Sequence, residues 1–143
     1  MFLGEYRHSL DEKGRVVMPS RFREELEDGC VLTKGQERCL YVFRSDQWEV
    51  EAARVLTLPR TDRRARNFSR AFFASASNQS LDQTGRCHIP EPLRVFAGLE
   101  KDVTVVGVAD HVEIWDSETW RDIQSDADTY YADIEEVLTD GGI

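Results

Sequence analysis

The sequence predicts an α+β chain made by internal duplication, with small β-sheets or a small barrel and flanking helices occurring twice. Two observations lead there. Residues 9–19, SLDEKGRVVMP, and residues 80–90, SLDQTGRCHIP, share Ser, Leu, Asp, Gly, Arg and Pro at an offset of 71, six of eleven positions. Ser45 and Trp48 then answer to Ser117 and Trp120 at an offset of 72. The same order of extended runs, turns and helical runs follows each motif. The chain divides into a first unit over 1–57, a connecting helix over 58–73, and a second unit with an acidic terminal helix over 74–143.

The first unit begins with FLGEYRHSL, where Phe2, Tyr6 and Leu10 fall on one face of an extended strand. DEKG is a hairpin turn, because Asp11 can accept backbone N–H groups and Gly14 can take a positive φ at low cost. RVVM is its expected return strand. Pro19 suits the first turn of a helix, where its missing N–H would be unpaired anyway. SRFREEL supplies that helix, with Phe22 and Leu26 on one side and an end near Gly29. CVLTK and CLYVF are two further strands around a polar turn. Ser45 is placed to cap a helix whose apolar positions are Trp48, Ala52, Val55 and Leu56.

The second unit follows the same plan. FFASASNQSL precedes the DQTG turn; RCHI, Pro90 and a short helix with Leu93 and Ala97 come next, before Gly98. VTVVGV and HVEIW read as strands, and Ser117 as the cap of the last helix. Between the units, TDRRARNFSRAFF reads as a helix with Ala65, Phe68 and Phe72 toward the core and its arginines outward. In the terminal helix, Ile123, Ala127, Tyr130, Tyr131, Ile134 and Leu138 form one stripe opposite an acidic face.

Composition narrows the class. The chain has 143 residues, 41% hydrophobic and 31% charged, the profile of a soluble globular protein. No run approaches the ~20 apolar residues of a membrane span, and the N-terminus shows no signal-peptide pattern. Cys30, Cys39 and Cys87 are odd in number and lack a C-x-x-C spacing, which fits free thiols in a reducing cytoplasm. The formal net charge is −9, unevenly spread: residues 1–74 hold 14 Lys/Arg against 12 Asp/Glu, a balance of +2, and residues 75–143 hold 4 against 15, a balance of −11. Bulk charge does not decide nucleic-acid binding; a local basic face does. His8, His88 and His111 lie on separate extended runs without ligand spacing, so no metal is expected. No nucleophile elbow, zinc-protease or phosphate-loop pattern occurs. No enzyme, cofactor or small-molecule substrate is expected.

The repeated motif carries the functional reading. Asp11 with Arg15 and Asp82 with Arg86 could simply close hairpins, and Asp11, Asp82 and Gly85 are read as turn-locking residues. The arginines stand at a hairpin tip, from which a guanidinium can reach phosphate or the O6/N7 edge of guanine. LDEKGRVVMPSRFREEL resembles the D-x-x-G-R-x-x-[IM]-P signature of AbrB-like swapped-hairpin transcription factors. The tandem pair resembles the MraZ family of bacterial transcriptional regulators over nearly the whole chain. The resemblance implies a double-unit AbrB-like fold and a ring-shaped homo-oligomer. Its implied ligand is double-stranded DNA with G-rich direct repeats, upstream of the division and cell-wall gene cluster and including the protein's own promoter, on the nucleoid. The residues expected to contact DNA are Arg15, Lys13, Gly14, Arg86, Thr84 and Arg23. The first tip ranks above the second because it carries Lys13 where the other has Thr84. The competing reading from another class is a ring-forming protein-interaction scaffold with no role on DNA.

Overall fold

The computed structural model describes residues 1–134. Its elements in chain order are β1 (Phe2–Ser9), β2 (Arg15–Val17), α1 (Ser20–Arg23), β3 (Cys30–Lys34), β4 (Leu40–Arg44), α2 (Ser45–Leu56), α3 (Arg63–Ala74), β5 (Ser77–Gln79), β6 (Arg86–His88), α4 (Glu91–Ala97), β7 (Asp102–Ala109), β8 (His111–Asp116) and α5 (Ser117–Asp133). Element order and type follow the sequence reading closely, and the α+β duplicated class holds.

The pairing departs from it. RVVM does not return along β1. β1 instead pairs antiparallel with β7, Tyr6 opposite Val105, while β2 pairs with β6, Val16 opposite Cys87. In the second motif, likewise, β5 pairs with β3. Each motif therefore sends its first strand to the third strand of the other half and its second strand to the other motif. The result is a six-stranded sheet in the order β1-β7-β8-β4-β3-β5 and a separate two-stranded ribbon, β2-β6. The DEKG and DQTG segments do turn the chain, but their flanking strands enter different sheets. Two units built on the same plan make this exchange possible, since each can complete the other.

Strand alternation puts one face of the sheet on the main core. Leu32, Leu40, Val42, Val103, Val105, Val112 and Ile114 point inward, beneath the ribbon residues Val16 and Cys87 and the helix residues Phe22 and Leu93. Phe22 meets Phe2 and Tyr6 edge-to-face, at centroid separations of 5.2 and 5.4 Å, a favoured aromatic geometry. All three cysteines are free and buried.

The opposite face is covered as well, which is why VTVVGV is apolar nearly throughout. There α2 and α3 lie over β3 and β4 through Trp48, Val55, Phe72 and Phe43, and α5 lies over β7 and β8 through Trp115, Trp120 and Ile123. The Thr33 hydroxyl donates to the Phe72 carbonyl at 2.6 Å, fixing α3 to β3. Phe68, expected toward the core, is 40% exposed, and Leu56, the last apolar position of α2, is 61% exposed. The expected stripe of α5 is covered only near its start: Tyr130 and Tyr131 are 71% and 82% exposed. Leu138 lies outside the described residues.

The two predicted serine caps are also corrected. Ser45 is the first residue of α2, and its hydroxyl donates toward the Gly29 carbonyl at 3.4 Å. α5 is capped by Asp116, whose carboxylate accepts the Thr119 N–H at 3.0 Å. Ser117 is buried and bonds the Thr104 hydroxyl at 2.8 Å, tying the helix to β7. An Asp one residue earlier is an equally good cap, and the serine is left free for the sheet.

On the outer face of β8, His111 sits between two carboxylates, with Nδ1 2.8 Å from Asp110 and Nε2 3.1 Å from Glu113. Burial disfavours the charged ring, but the hydrogen bonds to Glu113 and Asp110 together outweigh it and raise the His111 pKa above its ordinary value. A raised folded-state value stabilises fully below the unfolded pKa, about 6.5, and that contribution fades as pH rises through the folded value. His111→Gln should thus cost more stability at pH 5.5 than at pH 8.5 in paired thermal melts. An equal cost at both pH values would show that the ring is held neutral.

Candidate nucleic-acid interface

The ribbon joins the two motifs. In its register Arg15 faces His88, Val16 faces Cys87 and Val17 faces Arg86. Val16 and Cys87 are fully buried, so Arg15, Val17, Arg86 and His88 share the outer face. Arg15 and Arg86 are diagonal neighbours there, roughly 7–8 Å apart by the usual spacing. Two motifs 71 residues apart in sequence thus present their arginines on one surface.

Each turn is built around its aspartate. In the first, Asp11 Oδ1 accepts the backbone N–H of Lys13 at 2.9 Å and of Arg15 at 2.8 Å, and Asp11 Oδ2 accepts Arg15 Nε at 2.8 Å. The second repeats this, with Asp82 Oδ1 accepting from Thr84 N at 3.0 Å and Arg86 N at 2.8 Å, and Oδ2 accepting Arg86 Nε at 2.7 Å. The Arg86 and Arg15 backbone N–H groups are the leading cause that holds each carboxyl below its usual range, with the guanidinium bond adding to it. Groups shifted this way stabilise above the ordinary carboxylate value and lose that effect only as pH falls through the depressed one. Both turns are accordingly locked at neutral pH. In each arginine only Nε is held by the aspartate, and the Arg15 side chain is 27% exposed, that of Arg86 35%. The guanidinium is oriented and still has donors to offer a ligand.

The tips are clamped from the opposite half. Ile89 N–H donates to the Gly14 carbonyl at 2.8 Å, and Met18 N–H to the Gly85 carbonyl at 2.8 Å. Arg94 donates through Nη1 to the Ile89 carbonyl at 2.7 Å, and Arg23 through Nε to the Met18 carbonyl at 3.0 Å. Arg94 thereby lies against Gly14 and Arg23 against Gly85, where a Cβ would overlap the guanidinium. Both glycines also have positive φ, 75° and 80°. These positions need glycine for two reasons, backbone conformation and the arginine packed on them.

Among the sequence-predicted residues, Arg15, Arg86, Lys13 and Thr84 lie on the ribbon face or at its tips. The Thr84 hydroxyl donates to Asp82 at 3.0 Å and so also braces its turn. Gly14 is buried beneath Arg94, and Arg23 is engaged with Met18 and Gly85. Two participants were missed. Arg94 stands 71 residues after Arg23, the motif offset itself, and that equivalence was the signal that could have found it. His88 was read only as one of three unremarkable histidines, yet it is exposed and opposite Arg15. Nothing local to HIP announces which strand it will face. No helix among the described residues is long and apolar enough to cross a membrane.

Comparison with known proteins agrees with this architecture. The family model described as "MraZ protein, putative antitoxin-like" matches twice, over residues 1–71 and 72–140. The chain is 48% identical over 143 residues to a protein of Alkaliphilus metalliredigens (strain QYMF) named "Transcriptional regulator MraZ", covering 100% of both chains. With both halves matched and a relative of that identity along its full length, the chain belongs to the MraZ family.

Proposed function

We propose that this chain is a sequence-specific DNA-binding transcriptional regulator that sets the outer face of the β2–β6 ribbon and its two tips on double-stranded DNA. The observation that carries the reading is the meeting of Arg15 and Arg86 on one exposed face, each oriented by an aspartate. A two-stranded ribbon is a shape the major groove admits, and an arginine fork suits the O6/N7 edge of guanine. Lys13 adds a phosphate contact at the first tip and Thr84 a polar one at the second, while Gly14, buried beneath Arg94, gives the first tip the shape that presents them. Arg23 supports the second tip from behind. Asp11, Asp82 and Gly85 hold the turns in shape.

The resemblance extends this reading to a homo-oligomeric ring acting in the cytoplasm on the nucleoid. Its targets would be G-rich direct repeats upstream of the division and cell-wall gene cluster, the protein's own promoter included. Neighbours in a ring are related by rotation about one axis, so tips laid along a duplex face the same way and read repeats in the same orientation. To meet the same groove, repeats recur at about one helical turn, ~10–10.5 bp.

The test is a gel shift on synthetic duplexes carrying one to four G-rich boxes, at two salt concentrations. Three or four boxes should bind at least roughly tenfold more tightly than one, through effective concentration. An insertion of 5 bp between boxes should collapse this gain, and 10 bp should restore part of it. Binding should weaken steeply with salt. Tight binding to a lone palindrome, indifferent to box number, would exclude the direct-repeat reading. No binding to any duplex would favour the scaffold.

A further inference from the structure

The terminal helix leaves the body after its second turn. Trp120 and Gln124 donate to the Glu5 carboxylate on β1 at 3.1 and 2.8 Å, and Ile123 packs beside Trp115. Past this anchor Ala127, Tyr130 and Tyr131 lie at helical spacing and are exposed. Asp126, Asp128 and Asp133 in the same stretch form no ion pair among the described residues. An apolar stripe flanked by unpaired carboxylates is a helix surface without a partner.

A surface of matching chemistry exists elsewhere on the molecule. Between α2 and α3 runs a groove of about 330 Å³, with Val55, Leu56, Leu58 and Phe73 in its walls and Arg60, Arg66 and Arg70 along it. Among the described residues these three arginines have no carboxylate partner. The Arg66 guanidinium donates to the Arg60 carbonyl at 2.9 Å and that of Arg70 to the Asn67 side chain at 3.4 Å. The helix offers apolar rings and negative charge; the groove offers apolar walls and positive charge.

The two surfaces lie toward opposite ends of the sheet. α5 starts over β8 and β7 and runs toward edge strand β1, whereas the groove belongs to the helices over β4 and β3. In the order β1-β7-β8-β4-β3-β5, β1 and β3 are four strand spacings apart, about 19 Å at ~4.8 Å each. The helix heads away from its own groove. A contact between two different surfaces at opposite ends is heterologous and head-to-tail, the type that closes into rings.

We propose that α5 of one copy of this chain docks in the α2–α3 groove of a second copy, with Tyr130 and Tyr131 against the apolar walls and Asp126, Asp128 and Asp133 facing Arg60, Arg66 and Arg70. The inference deepens the ring reading above and rests on it. It assigns the uneven charge of the two halves to assembly, the acidic end of each protomer meeting the arginine-rich segment of the next.

Sedimentation velocity on three full-length chains tests it. They are the unaltered protein, a helix variant (Tyr130→Ser with Tyr131→Ser) and a groove variant (Arg66→Glu with Arg70→Glu), with far-UV circular dichroism to verify folding. All four substituted side chains are exposed, so both variants should fold. The unaltered protein should sediment as an oligomer and each variant as a monomer. An equimolar mixture of the variants should form a species of twice the chain mass and no larger, because it retains one good helix and one good groove. Variants that keep the parent's oligomeric mass overturn the docking while leaving the ring intact. A monomeric parent overturns ring and docking together. A groove variant that keeps its mass but loses DNA affinity assigns the arginines to DNA and overturns the proposal. Binding of the helix variant to a single G-rich box should match that of the parent, which separates assembly from recognition.

Discussion

Arg15→Ala is expected to abolish specific DNA binding with little change in fold or assembly. The side chain lies on the outer face of the ribbon and is tied to Asp11 through Nε. It contributes nothing to the apolar core beneath, which Val16 supplies from the opposite side of the strand. Losing a bidentate contact to guanine costs about 1–3 kcal/mol per copy, or roughly five- to 150-fold in affinity. Several protomers engaged on one repeat array would compound that loss. Arg86→Ala should follow in the same direction with a smaller effect, since its tip lacks a lysine. The measurement is a titration of each variant against a four-box duplex and a scrambled control, alongside sedimentation and a thermal melt. Unaltered affinity for Arg15→Ala would remove this residue from the interface. Loss of the oligomer at unaltered intrinsic affinity would make it an assembly residue instead.

The largest effect on stability among surface-near positions is expected at Gly14. An alanine there must hold a φ near 75°, a left-handed conformation costing about 1–2 kcal/mol for a residue with a Cβ. Its methyl would also displace the Arg94 guanidinium from the Ile89 carbonyl. Leaving that carbonyl poorly satisfied adds about 1–3 kcal/mol. Together Gly14→Ala should destabilise by roughly 2–5 kcal/mol in urea unfolding. The same substitution in an Arg94→Ala background should cost only the backbone part, because the clash is gone. This non-additivity identifies the clamp, as contacting residues should couple and distant ones should not. Gly85→Ala and Arg23→Ala form the equivalent pair in the other half. Equal costs of Gly14→Ala in both backgrounds would show that Arg94 does not brace the tip.

Much of the chain was legible because its signals are local. DEKG and DQTG contain the turn chemistry within four residues, and the structure builds both turns on Asp11 and Asp82 as read. Pro19 and Pro90 each stand at a helix start, and Gly98 ends α4 at a φ of 63°. CVLTK and CLYVF, read as strands, are β3 and β4. Where reading failed, the competing signals were nearly equal. An aspartate and a serine adjoin at the start of α5, and either can cap; burial of Ser117 against Thr104 decided between them. For Leu56 and Phe68, helical periodicity marks an apolar stripe but not its width. The body underneath covers only part of it.

The amino-acid sequence by itself determined the duplication, the order and type of elements, the two aspartate-built turns and the arginines that follow them. Those features depend on dihedral preferences, turn chemistry and periodicity, which act over a few residues. Only the tertiary structure decided which strands pair. A turn directs the chain back but does not oblige its flanking strands to bond each other, and a three-residue strand such as Arg15–Val17 carries too short a pattern to name its partner. With two similar motifs in one chain, pairing within a motif and pairing between motifs satisfy the same local rules. The choice falls to the burial of Val16 against Cys87 and to the reciprocal clamps of Arg23 and Arg94. That choice, made by packing between residues some 70 positions apart, is what sets Arg15 and Arg86 on one face.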